Sequence, residues 1–354
     1  MKDNGNVKRL LSLINTDKLM FLLISLALLL ALFFFPPLDV IKTTREISLW
    51  VLSIVIALYI FNLFTKAYRW HILLAANGWC GSFLHTAKIF IVIMAINNIT
   101  PGSLGGEPLR MYLAGRKTNL SAGVVSSTIL IEKSLDLTIL SGEGILGVIL
   151  VFPFITSHIY YSVLTTLVIL FVFWGLFLYH MVAGRGDGPP QWFRERLIKR
   201  GRMARSTLLR KLYLQTDKFV NDLYLGSRAY GNSRKSLSST LILTLLIWSN
   251  EALRVFILAE VLGINRELYR LDSIIGMALL SSSAALLLGV FLPGGVGHAL
   301  TIGGIYALTT TSVTRAMTIG LLSTLTSTWV CIAIGFILLL CEKGKREKRV
   351  SKRS

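Results

Sequence analysis

The chain has 354 residues, 53% of them hydrophobic, and a formal net charge of +19, with a mean hydropathy of +0.65 that soluble domains rarely reach. This combination excludes a soluble nucleic-acid-binding domain. The basic residues fall between long apolar runs, where they act as topology signals and contacts to anionic lipid.

Eight apolar segments follow one another, at about 19–35, 48–70, 84–99, 121–152, 160–181, 238–262, 272–292 and 316–341. A bilayer core of about 30 Å takes roughly 20 helical residues. The first segment follows Lys8, Arg9 and Lys18 and ends in Phe35-Pro36-Pro37 with no small-residue cleavage site, so it reads as an uncleaved span. The hydrophilic stretch 183–236 holds thirteen Lys or Arg and reads as a basic cytoplasmic loop. Inside it Leu208, Leu212, Phe219 and Leu223 share one helical stripe, flanked by Leu209, Tyr213, Val220 and Tyr224. That pattern predicts an amphipathic helix lying on the membrane surface or under the bundle, with a solvated helix packing on its own protein as the alternative. The tail, 342–354, carries Lys343, Lys345, Arg346, Lys348, Arg349, Lys352 and Arg353.

The positive-inside rule puts the N-terminus, the loop and the tail in the cytoplasm of a cell-membrane protein. Eight crossings cannot satisfy this, so one segment on each side of the loop must fail to cross. Segment 84–99 gives only about 24 Å of helix, contains Lys88, Asn97 and Asn98, and stops at Pro101-Gly102-Ser103-Leu104-Gly105-Gly106. Segment 272–292 stops at Pro293-Gly294-Gly295-Val296-Gly297. Both breaks predict re-entrant hairpins, at about 84–117 and 272–310, whose irregular backbone needs burial in protein or a wet cavity. The fold class expected is an all-α polytopic membrane protein, one domain over 1–354 with six full spans and two hairpins.

An internal repeat fits this plan. The stretch from Lys66 to Leu73 resembles that from Glu251 to Leu258, and Gly78 and Gly263 follow at matched places. With the first copy over 48–152 and the second over 238–341, the two run in opposite directions. Inverted repeats of this kind bring broken helices together near the midplane in secondary transporters.

The candidate site residues follow from the breaks and from charges inside spans. Gly105 and Gly106 free backbone N–H groups to approach a ligand, and a helix starting at Glu107-Pro108 aims its positive end at the tip. Together with Arg110 they can hold a phosphate or carboxylate; the alternative is a Glu107–Arg110 pair that pins the hairpin. Glu132 and Asp136 share one helix face while Lys133 points elsewhere. Ionisable groups in a span are costly, so the two acids read as a proton or headgroup site, or as partners of a basic residue of the other half, such as Arg254. Glu143 lies further along, nearer the outside. Glu251 and Arg254 can pair locally. Arg69 is the repeat mate of Arg254, and the two can approach an anionic headgroup from opposite leaflets, but a lone arginine near a helix end more often snorkels to the interface, which is the reading taken for Arg69. Gly294, Gly295, Gly297 and His298 complete the candidates at the second break, where a histidine either titrates or serves structure. Cys80, Cys331 and Cys341 share no metal-ligand spacing and read as ordinary thiols. No metal or cofactor is expected, and the enzyme signatures are missing: no Gly-x-Ser-x-Gly elbow, P-loop lysine or zinc-binding His-Glu-x-x-His.

The run from Pro101 to Arg110, the Glu132/Asp136 span and the break from Pro293 to Gly297 together resemble one family, over about 15–341. It is the flippase-like transmembrane domain of lysylphosphatidylglycerol synthases. The matching motif positions are Gly105, Gly106, Glu107, Arg110, Glu132, Asp136, Pro293, Gly294, Gly295 and Gly297. The resemblance implies translocation of a phospholipid or polyprenyl-linked lipid. In the synthases a separate soluble domain makes the lipid, and this chain lacks that domain, so it is not expected to be an enzyme. Related domains accompany glycosyltransferases. Two positions depart from the pattern: His298-Ala299-Leu300-Thr301 stands where an acid often follows the second break, and Lys133 stands for arginine, a point charge for a bidentate fork. The expected partners are membrane lipids, anionic or polyprenyl-linked, with a glycosyltransferase or a second copy as further candidates and no nucleic acid. Gly144, Gly147, Gly303 and Gly304 permit close helix contacts. A proton-coupled carrier of a soluble anion and a non-transporting glycosyltransferase partner are the alternative functions.

Overall fold

An apolar segment in lipid satisfies its own backbone most simply as a helix, and the described residues are helical with short connections. The computed structural model describes residues 43–44, 47–99, 106–118, 120–152, 157–183, 195, 207–231, 233–264, 271–289, 295–308 and 312–351. In chain order the helices are α1 Leu49–Ala75, α2 Phe83–Ile99, α3 Gly106–Thr118, α4 Ala122–Val151, α5 Ser157–Ala183, α6 Thr207–Gly231, α7 Arg234–Val261, α8 Leu271–Gly289, α9 Val296–Ala307, α10 Val313–Thr324 and α11 Val330–Ser351. A π-helical turn, Leu325–Trp329, joins α10 to α11.

Among the described residues five helices are long and apolar enough to cross a membrane: Leu49–Ala75, Ala122–Val151, His158–Val182, Lys235–Val261 and Val313–Cys341. They coincide with five of the six expected spans. Two shorter apolar helices, Phe83–Ile99 and Leu271–Leu287, coincide with the first limbs of the expected hairpins. The expected span at 19–35 and the hairpin tips, with Gly105 and Gly294, lie outside the described residues.

Local chemistry repeats in the two halves. Serine caps start α1, α4, α7 and α10: the hydroxyls of Ser48, Ser121, Ser233 and Ser312 accept from Trp50, Val124, Ser236 and Arg315 N–H. A cap of this kind is worth about 1 kcal/mol. α1 and α7 also end alike. Gly78 and Gly263 both take a positive φ, 89° and 73°, and donate to Ala75 O and Glu260 O at 3.0 Å. Only glycine adopts such a turn without strain.

Packing carries the same symmetry. α1 lies against α7 in the middle. α4 of the first half packs on α8 of the second, and α11 of the second packs on α2 of the first. One apolar cluster gathers Val55, Val151, Val255, Met277, Ile302 and Ile319; another gathers Leu63, Trp70, Phe90, Ile93, Ile129 and Cys331. α5 sits outside on α4 and presents Ile169, Phe173 and Leu176 outward.

The amphipathic helix α6 packs under the bundle over its C-terminal half. Tyr230 donates to Leu73 O at 2.5 Å and accepts from Asn77 at 2.8 Å, which ties α6 to the end of α1. Backbone atoms of Phe219 and Leu223 close on Gly123 of α4, where a side chain would not fit. This half of α6 thus packs on its own protein. Phe219 itself stays exposed.

Candidate functional site

The seam between α1 and α7 is polar, against the composition of both helices. Four contacts run along it: Arg254 over the Tyr59 ring at 4.9 Å, Asn62 to Glu251 at 3.3 Å, Lys66 over the Trp248 ring at 5.0 Å, and Arg69 to Thr244 at 2.9 Å. As the number rises on α1 it falls on α7, so the helices are antiparallel, which is the relation an inverted repeat requires.

Arg69 anchors one end. It is buried and donates to both oxygens of Asp136, at 2.5 and 3.1 Å, and lies 3.2 Å from Glu132. The snorkelling expected of Arg69 does not occur. α1 continues to Ala75, so the guanidinium starts more than a turn inside the helix end, and two acids one turn apart on α4 meet it there. Asp136 also accepts from Trp248 at 2.8 Å. Glu132 is shared: its other oxygen pairs with Arg110 of α3. Arg110 is buried, stacks over Trp70 at 4.3 Å and Phe90 at 5.1 Å, and lies 3.7 Å from Glu107. Trp70 is fixed in turn by donating to Thr128 at 3.2 Å. Glu107 is completed by Lys133 at 3.2 Å, a side chain 45% exposed. A continuous chain thus runs from the accessible Lys133 through Glu107, Arg110, Glu132 and Arg69 to Asp136. Glu132 and Asp136 therefore take Arg69 and Arg110, not Arg254. Arg254 lies two to three turns along the seam from the residues that α7 offers to Asp136 and Arg69.

The second cluster is built differently. Arg254 donates to both oxygens of Glu251 on its own helix, each at 2.9 Å, and to Thr326 at 3.1 Å and Ser323 O at 3.4 Å. Where Arg69 meets acids of α4, its repeat mate meets a hydroxyl and a carbonyl at the π turn. Such turns recur at functional sites. His298 Nε2 stands 3.8 Å from Glu251.

Among the glycine candidates, Gly295 has φ 81°, its carbonyl accepts from Thr324, and an added Cβ would meet Thr328 Oγ1 at 2.9 Å. Gly295 itself thus lies against Thr324 and the π turn. Gly297 is buried and accepts from Thr301 through its carbonyl. Gly106 opens α3. Glu143 pairs with no residue of either cluster. Among the described residues no group of three His, Cys, Asp or Glu can hold a metal ion.

Reading the sequence missed Asn62, Lys66, Tyr59, Thr244, Trp248 and Thr326. Lys66 was within reach, since the repeat pairs it with Glu251. The others carry no charge, and nothing short of the α1–α7 register selects them.

A protein-family model described as "Lysylphosphatidylglycerol synthase TM region" matches residues 19–335. The chain is similar to two "UPF0104 membrane protein" sequences of Methanothermobacter thermautotrophicus. One is 27% identical over 296 residues, 80% of this chain and 82% of the relative. The other is 26% identical over 341 residues, 92% and 93% of the two. A UPF0104 membrane protein of Pyrococcus horikoshii is 21% identical over 339 residues, 91% and 96% of the two. No solved structure matches the chain.

Proposed function

The chain belongs to the lysylphosphatidylglycerol synthase transmembrane-region family, and on that premise we propose that this multi-pass membrane protein is a translocase that carries a lipid headgroup from one leaflet to the other. The observation that carries the reading is the polar seam. From Tyr59 to Arg69 it covers about 15 Å of helix, roughly half of a ~30 Å apolar core. A bundle selected for stability alone gains little from such groups, since buried ion pairs rarely outdo well-packed apolar side chains. Intramembrane charges mark substrate paths by default.

In this reading the chain makes six crossings, two re-entrant hairpins approach the seam from opposite faces, and both termini lie in the cytoplasm. Arg110 and Glu107, next to the accessible Lys133, receive the headgroup on the inner side. Arg254, Glu251 and His298 receive it on the outer side. The acyl chains stay in lipid throughout, and no covalent step is needed, so the protein acts as a carrier and not as an enzyme.

Reconstitution tests this. Vesicles carrying the protein and fluorescent phosphatidylglycerol are treated with an impermeant quencher, and the rate at which inner-leaflet label becomes accessible is read. Arg110→Ala removes charged hydrogen bonds worth about 1.5–3 kcal/mol and is expected to slow movement about tenfold or more. Equal rates in wild type and variant take Arg110 out of the mechanism. No movement by wild type ends the translocase reading.

A further inference from the structure

Every cation of the seam and its two clusters but one has a carboxylate. Arg69 is held by Asp136 and Glu132, Arg110 by Glu132 and Glu107, Arg254 by Glu251, and Lys133 by Glu107. Lys66 is the exception. Its ammonium stands 5.0 Å above the Trp248 ring, and among the described residues no acid closes on it to salt-bridge distance. The carboxylates that act on it from further away, Glu251 and Asp136, are each already gripped by an arginine. Five cations thus face four acids: Lys66, Arg69, Arg110, Lys133 and Arg254 against Glu107, Glu132, Asp136 and Glu251.

The position of this surplus charge is as telling as its sign. Lys66 lies between the arginine stations, one turn from Arg69 and two turns from the Tyr59 ring that Arg254 covers. It is also beside the point where α1 and α7 exchange places under the repeat, near Phe64 and Ser249. An ammonium cannot escape from there by snorkelling, because Ala75, the inner end of α1, is about 14 Å away. The Trp248 ring steadies it through its π face, an attraction of about 0.5–2 kcal/mol, and takes none of its charge. Trp248 is itself held in place by its bond to Asp136. An uncompensated charge at that depth is costly, and a bound anion removes the cost.

We propose that Lys66, seated on Trp248, is the midpoint station for one negative charge of a phosphate group, so that the carrier prefers lipids whose headgroup is net anionic over zwitterionic ones. The proposal rests on the translocase reading and names its substrate class. A zwitterionic headgroup brings its own cation to the seam, where Lys66 repels it. An anionic phosphodiester completes the charge count and passes from Arg110 and Arg69 to Lys66 and on to Arg254.

The test compares fluorescent phosphatidylglycerol with fluorescent phosphatidylcholine in the same reconstituted vesicles, and adds uptake of radiolabelled inorganic phosphate. The wild type is expected to move phosphatidylglycerol about tenfold faster. Lys66→Gln is expected to bring the ratio near one by slowing the anionic lipid, and Lys66→Arg to keep the preference. Equal movement of both lipids by wild type, or an unchanged ratio in Lys66→Gln, overturns the proposal and leaves the translocase standing. The wild-type ratio needs no variant, so a poorly folding Lys66→Gln does not block the test. If neither lipid moves but phosphate enters in a Lys66-dependent way, the anion station holds and the lipid reading falls. If neither lipid moves and no phosphate enters, both fall.

Discussion

A buried arginine in this bundle is an obligation that each neighbouring acid helps to meet. Arg69 holds Asp136 through two hydrogen bonds and Glu132 through a third contact. Removing the guanidinium leaves Asp136 buried with Trp248 and no cation, whereas Glu132 keeps Arg110. Arg69→Gln is therefore expected to cost about 3–5 kcal/mol, read as a lowered thermal midpoint of the detergent-solubilised protein. Pairing Arg69→Met with Asp136→Leu removes both charges and is expected to restore most of the loss. A double variant as unstable as the single one would mean that the pair is not the stabilising unit. At this scale the sequence was half legible. The four-residue spacing of Glu132 and Asp136 declares a shared face, and a charge inside a span declares a partner. It does not declare which partner, because that depends on where helices far apart in sequence cross. So the ion-pair reading named Arg254 as an example of a partner from the other half, and the observed partners are Arg69 and Arg110. The repeat put Lys66 itself within reach, but its lack of an acid at salt-bridge distance is a property of the packed bundle.

Helix length, by contrast, is written in composition. Five long apolar runs became five long helices, and the two runs that lead into Pro-Gly segments became shorter ones, Phe83–Ile99 and Leu271–Leu287. The π turn was not legible. Leu325 to Trp329 reads as ordinary span, and only the structure shows Thr326 and Ser327 turning their hydroxyls back on Leu322 O and Ser323 O, at 2.7 and 2.6 Å, a habit that bends helices. The glycines read as permissive of close contacts divide by location. Gly147 crosses α8 so closely that an added Cβ would meet Gly276 O and Leu280 N at 2.8 Å, and Gly303 meets Met317, whereas nothing lies within 4 Å of Gly304. Gly147→Leu is expected to destabilise by about 1–3 kcal/mol or more, with a lowered melting midpoint in detergent. Gly304→Leu is expected to stay within about 0.5 kcal/mol of wild type. Equal effects of the two would show that the α4–α8 crossing yields easily.

At the scale of the whole molecule, the antiparallel seam and the exchanged packing of α4 on α8 and α11 on α2 accord with the inverted repeat that the eight-residue likeness suggests. The matched caps at Ser48 and Ser233 and the matched turns at Gly78 and Gly263 give the same relation from independent positions. If the halves are inverted across the bilayer, the ends of α1 and α11 face the same side. The native cysteines report on this. Cys80 is exposed just past the end of α1, Cys341 is exposed where α11 meets Lys343, Lys345 and Arg346, and Cys331 is buried and silent. On the proposed topology, drawn from the positive-inside bias, both exposed thiols lie in the cytoplasm. A membrane-impermeant maleimide applied to intact cells is expected to label neither, and to label both once the membrane is opened, with Cys80→Ser and Cys341→Ser assigning each signal. Labelling of one thiol from outside while the other stays protected would put the ends of α1 and α11 on opposite faces. The two re-entrant hairpins would then have to be redrawn, and with them the path along which Arg110, Lys66 and Arg254 are arranged.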